Sequence, residues 1–155
     1  MIKVDIMKTK TIARMTYEGL GFPIELRNVK MVMINDEWHP KINMRKIADA
    51  TMKVLASQEK RFTGYQVKFI RTYFNMTLRD FASEVVSESH TAVSKWEKFG
   101  SKPTNMDINI EKILRLYIYE KVNKKKKFYR DLVVKKNSEQ KKQQIIRPEI
   151  QISAV

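Results

Sequence analysis

The chain has 155 residues and a mass of 18.4 kDa, room for one domain or two small ones, with 43% hydrophobic residues to build a core and a formal net charge of +14 that favours polyanionic partners. It has no cysteine, which excludes disulfides, thiolate metal sites and a cysteine nucleophile, and its two histidines, His39 and His90, are too few for a multi-imidazole centre. No apolar run approaches the roughly 18 residues of a bilayer span, and residues 1–10 are too polar for a signal peptide, so a reducing cytoplasm is the expected compartment.

Residues 1–14 are basic and without clear period, and read as a loosely held arm. Residues 22–28 alternate, with Phe22, Ile24 and Leu26 on one side and Glu25 and Arg27 on the other. Residues 29–34 form a second β-rich run. Two such runs predict an antiparallel hairpin with a turn or bulge at Asn28, and Pro23 suits the start of an edge strand. Asn35-Asp36-Glu37 is a turn signal, after which Trp38, His39 and Pro40 are expected to leave the sheet. Asn43 is a reasonable N-cap, and Ile47, Ala48, Thr51, Val54 and Leu55 recur at helical spacing to about residue 56. Residues 58–62 read as a charged linker between two parts, 15–58 and 59–122.

From Thr63 the pattern is helical. Thr63 caps a helix carrying Val67, Ile70 and Phe74; Thr77 caps a short one with Leu78, Phe81, Ala82 and Val85 inward. After a turn at residues 86–89, a third helix runs to about Phe99 with Val93 and Trp96 inward, and Gly100 stops it. Asp107 caps a fourth, whose Ile110, Ile113, Leu114, Tyr117 and Ile118 form an apolar stripe. Residues 121–147 then hold 11 Lys and Arg against Asp131 and Glu139. This basic tail (123–155) includes a lysine run at 124–127, a further helical stretch at 128–134, a low-complexity segment at 138–144, and Ile145, Ile146, Ile150 and Ile152, which suit a strand or a docking segment.

The informative segment is Met76-Thr-Leu-Arg-Asp-Phe-Ala82, then Ser89-His-Thr-Ala-Val-Ser-Lys-Trp-Glu97. It reads as two short helices set at a steep angle, meeting closely at Ala82. With Val93 and Trp96 anchoring the second helix, Ser89, His90, Thr91, Ser94, Lys95 and Lys98 fall on its outer side, among donors and with carboxylates only at Glu88 and Glu97. A helix of this kind fits the major groove of B-DNA, its first turns against base edges.

These residues resemble the Cro-type XRE helix-turn-helix. Upstream, Phe62-Thr-Gly-Tyr-Gln-Val-Lys-Phe-Ile-Arg71 is similar to the start of that domain in MqsA-like antitoxins of the YgiT type, and Tyr17-Glu-Gly-Leu-Gly with Leu26-Arg-Asn-Val29 resembles their N-terminal half. The resemblance covers about residues 17–122. It implies a mainly α, α+β fold: an N-terminal antiparallel hairpin plus helix, then a helix-turn-helix bundle of four to five helices. It also implies a repressor that binds a palindromic operator as a homodimer, and a toxin held by the N-terminal half in a type II toxin–antitoxin pair.

Three departures matter. The paired cysteines that bind zinc in many members are missing; Met31-Val-Met-Ile-Asn lies where one pair falls, so no metal or other cofactor is expected. The turn at residues 85–89 is one residue longer. Thr91 and Lys95 stand where those readers carry Asn and Arg, so a different base sequence is expected. Thr91 and Lys95 are the base-edge candidates. Ser89, His90, Ser94 and Lys98 are expected at phosphates or flanking bases, and Thr77 and Arg79 at phosphate, though Thr77 and Ser89 also serve simply as caps and His90 as a solvated surface residue. Ile110, Leu114 and Tyr117 are the dimerisation candidates, unless that stripe packs on the chain's own core. The lysine tail adds either phosphate attraction or only a solvated end. Two other readings stand: a phage- or plasmid-type regulator without a toxin, and a protein-interaction module that no longer binds DNA. No enzyme is expected, since the chain lacks a glycine-rich phosphate loop and any His/carboxylate ligand spacing.

Overall fold

A computed structural model describes residues 7–122 and 149–151. The sequence expectations for residues 1–6, for the lysine run at 124–127, for the stretches at 128–134 and 138–144, and for Ile145, Ile146 and Ile152 lie outside the described residues. The fold is mixed α/β. Three strands come first, β1 (Thr9–Tyr17), β2 (Ile24–Ile34) and β3 (Glu37–Pro40). Helices follow: α1 (Met44–Ser57), α2 (Gly64–Tyr73), α3 (Leu78–Phe81) running into a π-helical turn (Ala82–Val86), α4 (His90–Glu97) and α5 (Ile108–Val122). A short strand, β4 (Glu149–Gln151), completes the order.

The sheet corrects the N-terminal reading in three ways. Residues 9–14 are not an arm: they belong to β1, which pairs antiparallel with β2 from Thr9↔Val32 to Tyr17↔Ile24. Residues 22–34 are not a hairpin; from Ile24 to Ile34 they form one strand. Asn28 has φ 52°, and across it the buried positions change parity, from Ile24 and Leu26 to Val29 and Met31. The pairs Ile12↔Val29 and Arg14↔Arg27 flank it without a shift of register, so both strands change face together. Asn tolerates this left-handed conformation better than most residues. Third, Trp38, His39 and Pro40 stay in the sheet, opposite Met33, Val32 and Met31. The β2–β3 turn is Asn35-Asp36, both with positive φ (51° and 62°), the two-residue connection whose twist suits a hairpin. β4 adds in parallel beside Glu25, Leu26 and Arg27 of β2.

Helix starts follow local chemistry. The side chains of Asn43, Thr63, Thr77 and Ser89 accept from the backbone N–H of Lys46, Gln66, Asp80 and Ala92, and Asp107 accepts from Asn109 N at 2.8 Å. At α2 the side chain of Gln66 also receives the Thr63 N–H, closing a capping box. The Tyr73 hydroxyl donates to Asp49 at 2.5 Å, tying α2 to α1; burial first, and then this bond, push its pKa up to about 12.

Residues 58–62 are not a linker. One continuous core runs from Phe22, Ile24 and Leu26 through Ile47 and Leu55 to Phe62, Ile70, Phe81, Trp96, Leu114 and Ile118. Arg115 donates to the carbonyls of Leu55, Ala56, Gln58 and Lys60, satisfying the C-terminal end of α1 and the segment after it, and stacks its guanidinium 4.3 Å from the Phe62 ring. Glu111, 1% exposed, accepts from Phe62 N at 2.7 Å, faces Arg61 Nε at 2.5 Å and accepts from Arg115 at 3.3 Å. Arg61 also donates to the carbonyl of Met106. Burial lowers the pKa of Arg115, and Glu111 opposes that shift.

Gly64 is where the loop after α4 crosses α2. An added Cβ would lie 2.5 Å from Gly100 N and 2.7 Å from the carbonyl oxygens of Trp96 and Glu97, all backbone. Gly64→Ala is therefore expected to destabilise the fold by about 1–3 kcal/mol, the usual cost of overpacking, read as a lower urea midpoint with unchanged slope.

Candidate nucleic-acid interface

α3 and α4 meet through a tight corner. The π-helical turn ends at Ser87, which is left-handed (φ 53°, ψ 45°), and the Glu88 N–H returns to the Ala82 carbonyl at 2.9 Å. Phe81, Ala82, Val85 and Val86 are buried on one side of the corner, Val93 and Trp96 on the other. α4 thus has a seated face and an open one.

A buried ion pair fixes its tilt. Arg71 of α2 reaches Glu97 with two parallel bonds, Nε–Oε1 at 2.5 Å and Nη2–Oε2 at 3.2 Å, and its third donor holds the Met76 carbonyl at 2.9 Å. The two side chains are only 14% and 12% exposed. Glu97 is therefore not a carboxylate on the open face, as its sequence position suggested; it is consumed by Arg71.

On the open face, Ser89, His90, Thr91, Lys95 and Lys98 are exposed and Ser94 is half-buried. Thr77 and Arg79, at the start of α3, are exposed as well. The hydroxyl oxygens of Thr77 and Ser89 are already used as caps, at 3.1 Å each, which leaves their protons free to donate. Asp80, Glu84 and Glu88 are also exposed, along α3, the π-helical turn and the corner. The segment 77–98 holds three basic residues (Arg79, Lys95, Lys98) against four acidic ones (Asp80, Glu84, Glu88, Glu97), so it is not itself the source of the chain's positive charge.

The dimerisation candidates Ile110, Leu114 and Tyr117 pack on the chain's own core, the alternative reading of that stripe. Leu114 is fully buried in the chain's own core, and Ile110 and Tyr117 are half-buried against it, Tyr117 edge-on to Phe74 at 5.2 Å. The apolar residues of α5 that do face out are Ile108, Ile113 and Leu116, 47–50% exposed. A 3.6-residue stripe of five apolar residues is wider than the buried face, so pattern alone did not separate Ile113 from Leu114.

His39 lies on β3, 3.8 Å from Glu37 and half exposed. Among the described residues no group of three or more His, Asp or Glu side chains is placed to hold a metal ion, and no helix is long and apolar enough to cross a membrane. An open cleft of about 550 Å³ between the β1–β2 loop and the start of α2 has Glu18 as its one charged lining residue. No protein-family model, no curated protein and no solved structure matches this chain.

Proposed function

We propose that the protein is a sequence-specific DNA-binding repressor in which α3, the π-helical turn and α4 act as a helix-turn-helix and α4 enters the major groove. The observation that carries this reading is the open face of α4. Thr91 and Lys95 lie one turn apart on a helix locked from behind by Val93, Trp96 and the Arg71–Glu97 pair. Lysine donates to guanine O6 and N7, and threonine offers a methyl and a hydroxyl to a thymine edge. His90, Ser94 and Lys98 flank them, and Thr77, Ser89 and Arg79, exposed beside them, would meet backbone phosphates. A dimer would read two half-sites about one helical turn apart.

The XRE resemblance supports the same reading and extends it: the chain would be an antitoxin repressing its own operon, with the sheet and α1 holding the toxin. A regulator without a toxin differs only in that last part, and a small toxin gene next to this one would separate the two. A second reading, an interaction module without DNA binding, is favoured by the three exposed carboxylates Asp80, Glu84 and Glu88.

The near-neutral helix pair makes a quantitative demand: long-range attraction to DNA has to come from elsewhere, and the lysine run at 124–127 is the densest source. The test is binding of the full chain to the DNA upstream of its own gene across a salt series. Specific binding is expected. Replacing Lys124, Lys125, Lys126 and Lys127 with serine should flatten the log–log salt slope by about 0.9 for each phosphate no longer neutralised, while sparing sequence preference. No binding at low salt would favour the interaction module; an unchanged slope would remove the lysine run from the interface.

A further inference from the structure

The exposed side of α5 carries Asn109, Lys112, Ile113, Leu116 and Glu120, while Glu111, Leu114, Arg115 and Ile118 fill the opposite side. Leu116 lies near the centre of the exposed stripe, half exposed, and Ile113 beside it is equally so. Folding of the single chain covers only half of each of these apolar side chains and leaves the rest in water. Lys112 and Glu120 stand four residues before and four after Leu116, about 6 Å along the axis in each direction. Neither has an ion-pair partner among the described residues.

This arrangement is self-complementary. If two α5 helices pack antiparallel about a two-fold axis at Leu116, Leu116 meets its own copy and Ile113 flanks it. Lys112 of one chain comes level with Glu120 of the other, twice, because both residues are equidistant from the axis. A two-fold interface requires a patch that matches itself in this way.

We infer that the Lys112–Glu120 face of α5 is the homodimer interface of this protein, centred on Leu116. The inference deepens the DNA-binding reading, which needs a second copy for a second half-site, but its test contains no DNA. Failure to bind DNA would therefore leave it standing, and failure to dimerise here would leave α4 as a reader of single sites.

The test is sedimentation equilibrium of the full chain over a concentration series. The wild type is expected to reach twice the 18.4 kDa chain mass. Leu116→Glu should raise the dimer Kd by about tenfold or more, as removal of a central anchor does. Glu120→Lys and Lys112→Glu should each weaken the dimer several-fold, and the double exchange should restore it, because two attractive pairs are rebuilt. Circular dichroism checks that each variant is folded; should Leu116→Glu not fold, the charge exchange at two exposed positions decides alone. A wild type that stays monomeric at every concentration, or a dimer indifferent to both Leu116→Glu and the charge exchange, overturns the inference.

Discussion

A Glu111→Gln variant is expected to lose about 3–5 kcal/mol of stability, the cost of breaking a buried ion pair from one side. Glu111 is 1% exposed and serves Arg61, Arg115 and the Phe62 N–H at once. Glutamine keeps the shape but leaves the buried Arg115 guanidinium, and the partly exposed one of Arg61, without a counter-charge. Against the total stability of about 5–15 kcal/mol usual for a domain, this is about a fifth or more. Urea unfolding measures it, with Glu59→Gln at an exposed position as a control expected within about 0.5 kcal/mol of wild type. Equal midpoints for the two variants would mean that the Glu111 network contributes little beyond its shape.

The second large effect concerns specificity rather than stability. Each well-placed base contact contributes about 1–3 kcal/mol of discrimination, so a Thr91→Ala/Lys95→Ala variant should lose roughly 100-fold or more in preference for its selected sequence over a scrambled one. Both side chains are exposed, so the melting temperature should hardly move. Competition binding with DNA selected from a random pool reads this out directly. If the preference survives the double change, α4 is not the reading element, and the proposal for this face fails.

Much of the helical half was legible because its signals are local. A cap and the N–H it accepts are three residues apart at Asn43, Thr63, Thr77 and Ser89, and two apart at Asp107. The outward placement of Thr91 and Lys95 likewise follows from Val93 and Trp96 within the same two turns. What was missed depends on distance along the chain. Glu97 reads as a surface carboxylate until Arg71, 26 residues upstream, claims it. The stretch from Gln58 to Phe62 reads as a solvated connection until Arg115 and Glu111, 49 to 57 residues on, bind its carbonyls and its N–H. β1 was hidden because an edge strand with one half-wet face buries little: only Ile12, Met15 and Tyr17 are partly covered, and their spacing changes at the kink shared with Asn28. A change of parity looks like a turn when read one strand at a time, and its partner strand is needed to show that both chains bend together.

The shared interior has a bearing on how this molecule can be inherited or re-engineered. A cut near residue 58 would divide the continuous core and strand Arg115 without the Leu55 and Ala56 carbonyls that it clamps, so neither half is a portable cassette. Grafting α3 and α4 onto another N-terminal region would have to carry α1 and α5 along with them. An exchange of the N-terminal part would then be tolerated only where the ions around Glu111 are kept intact.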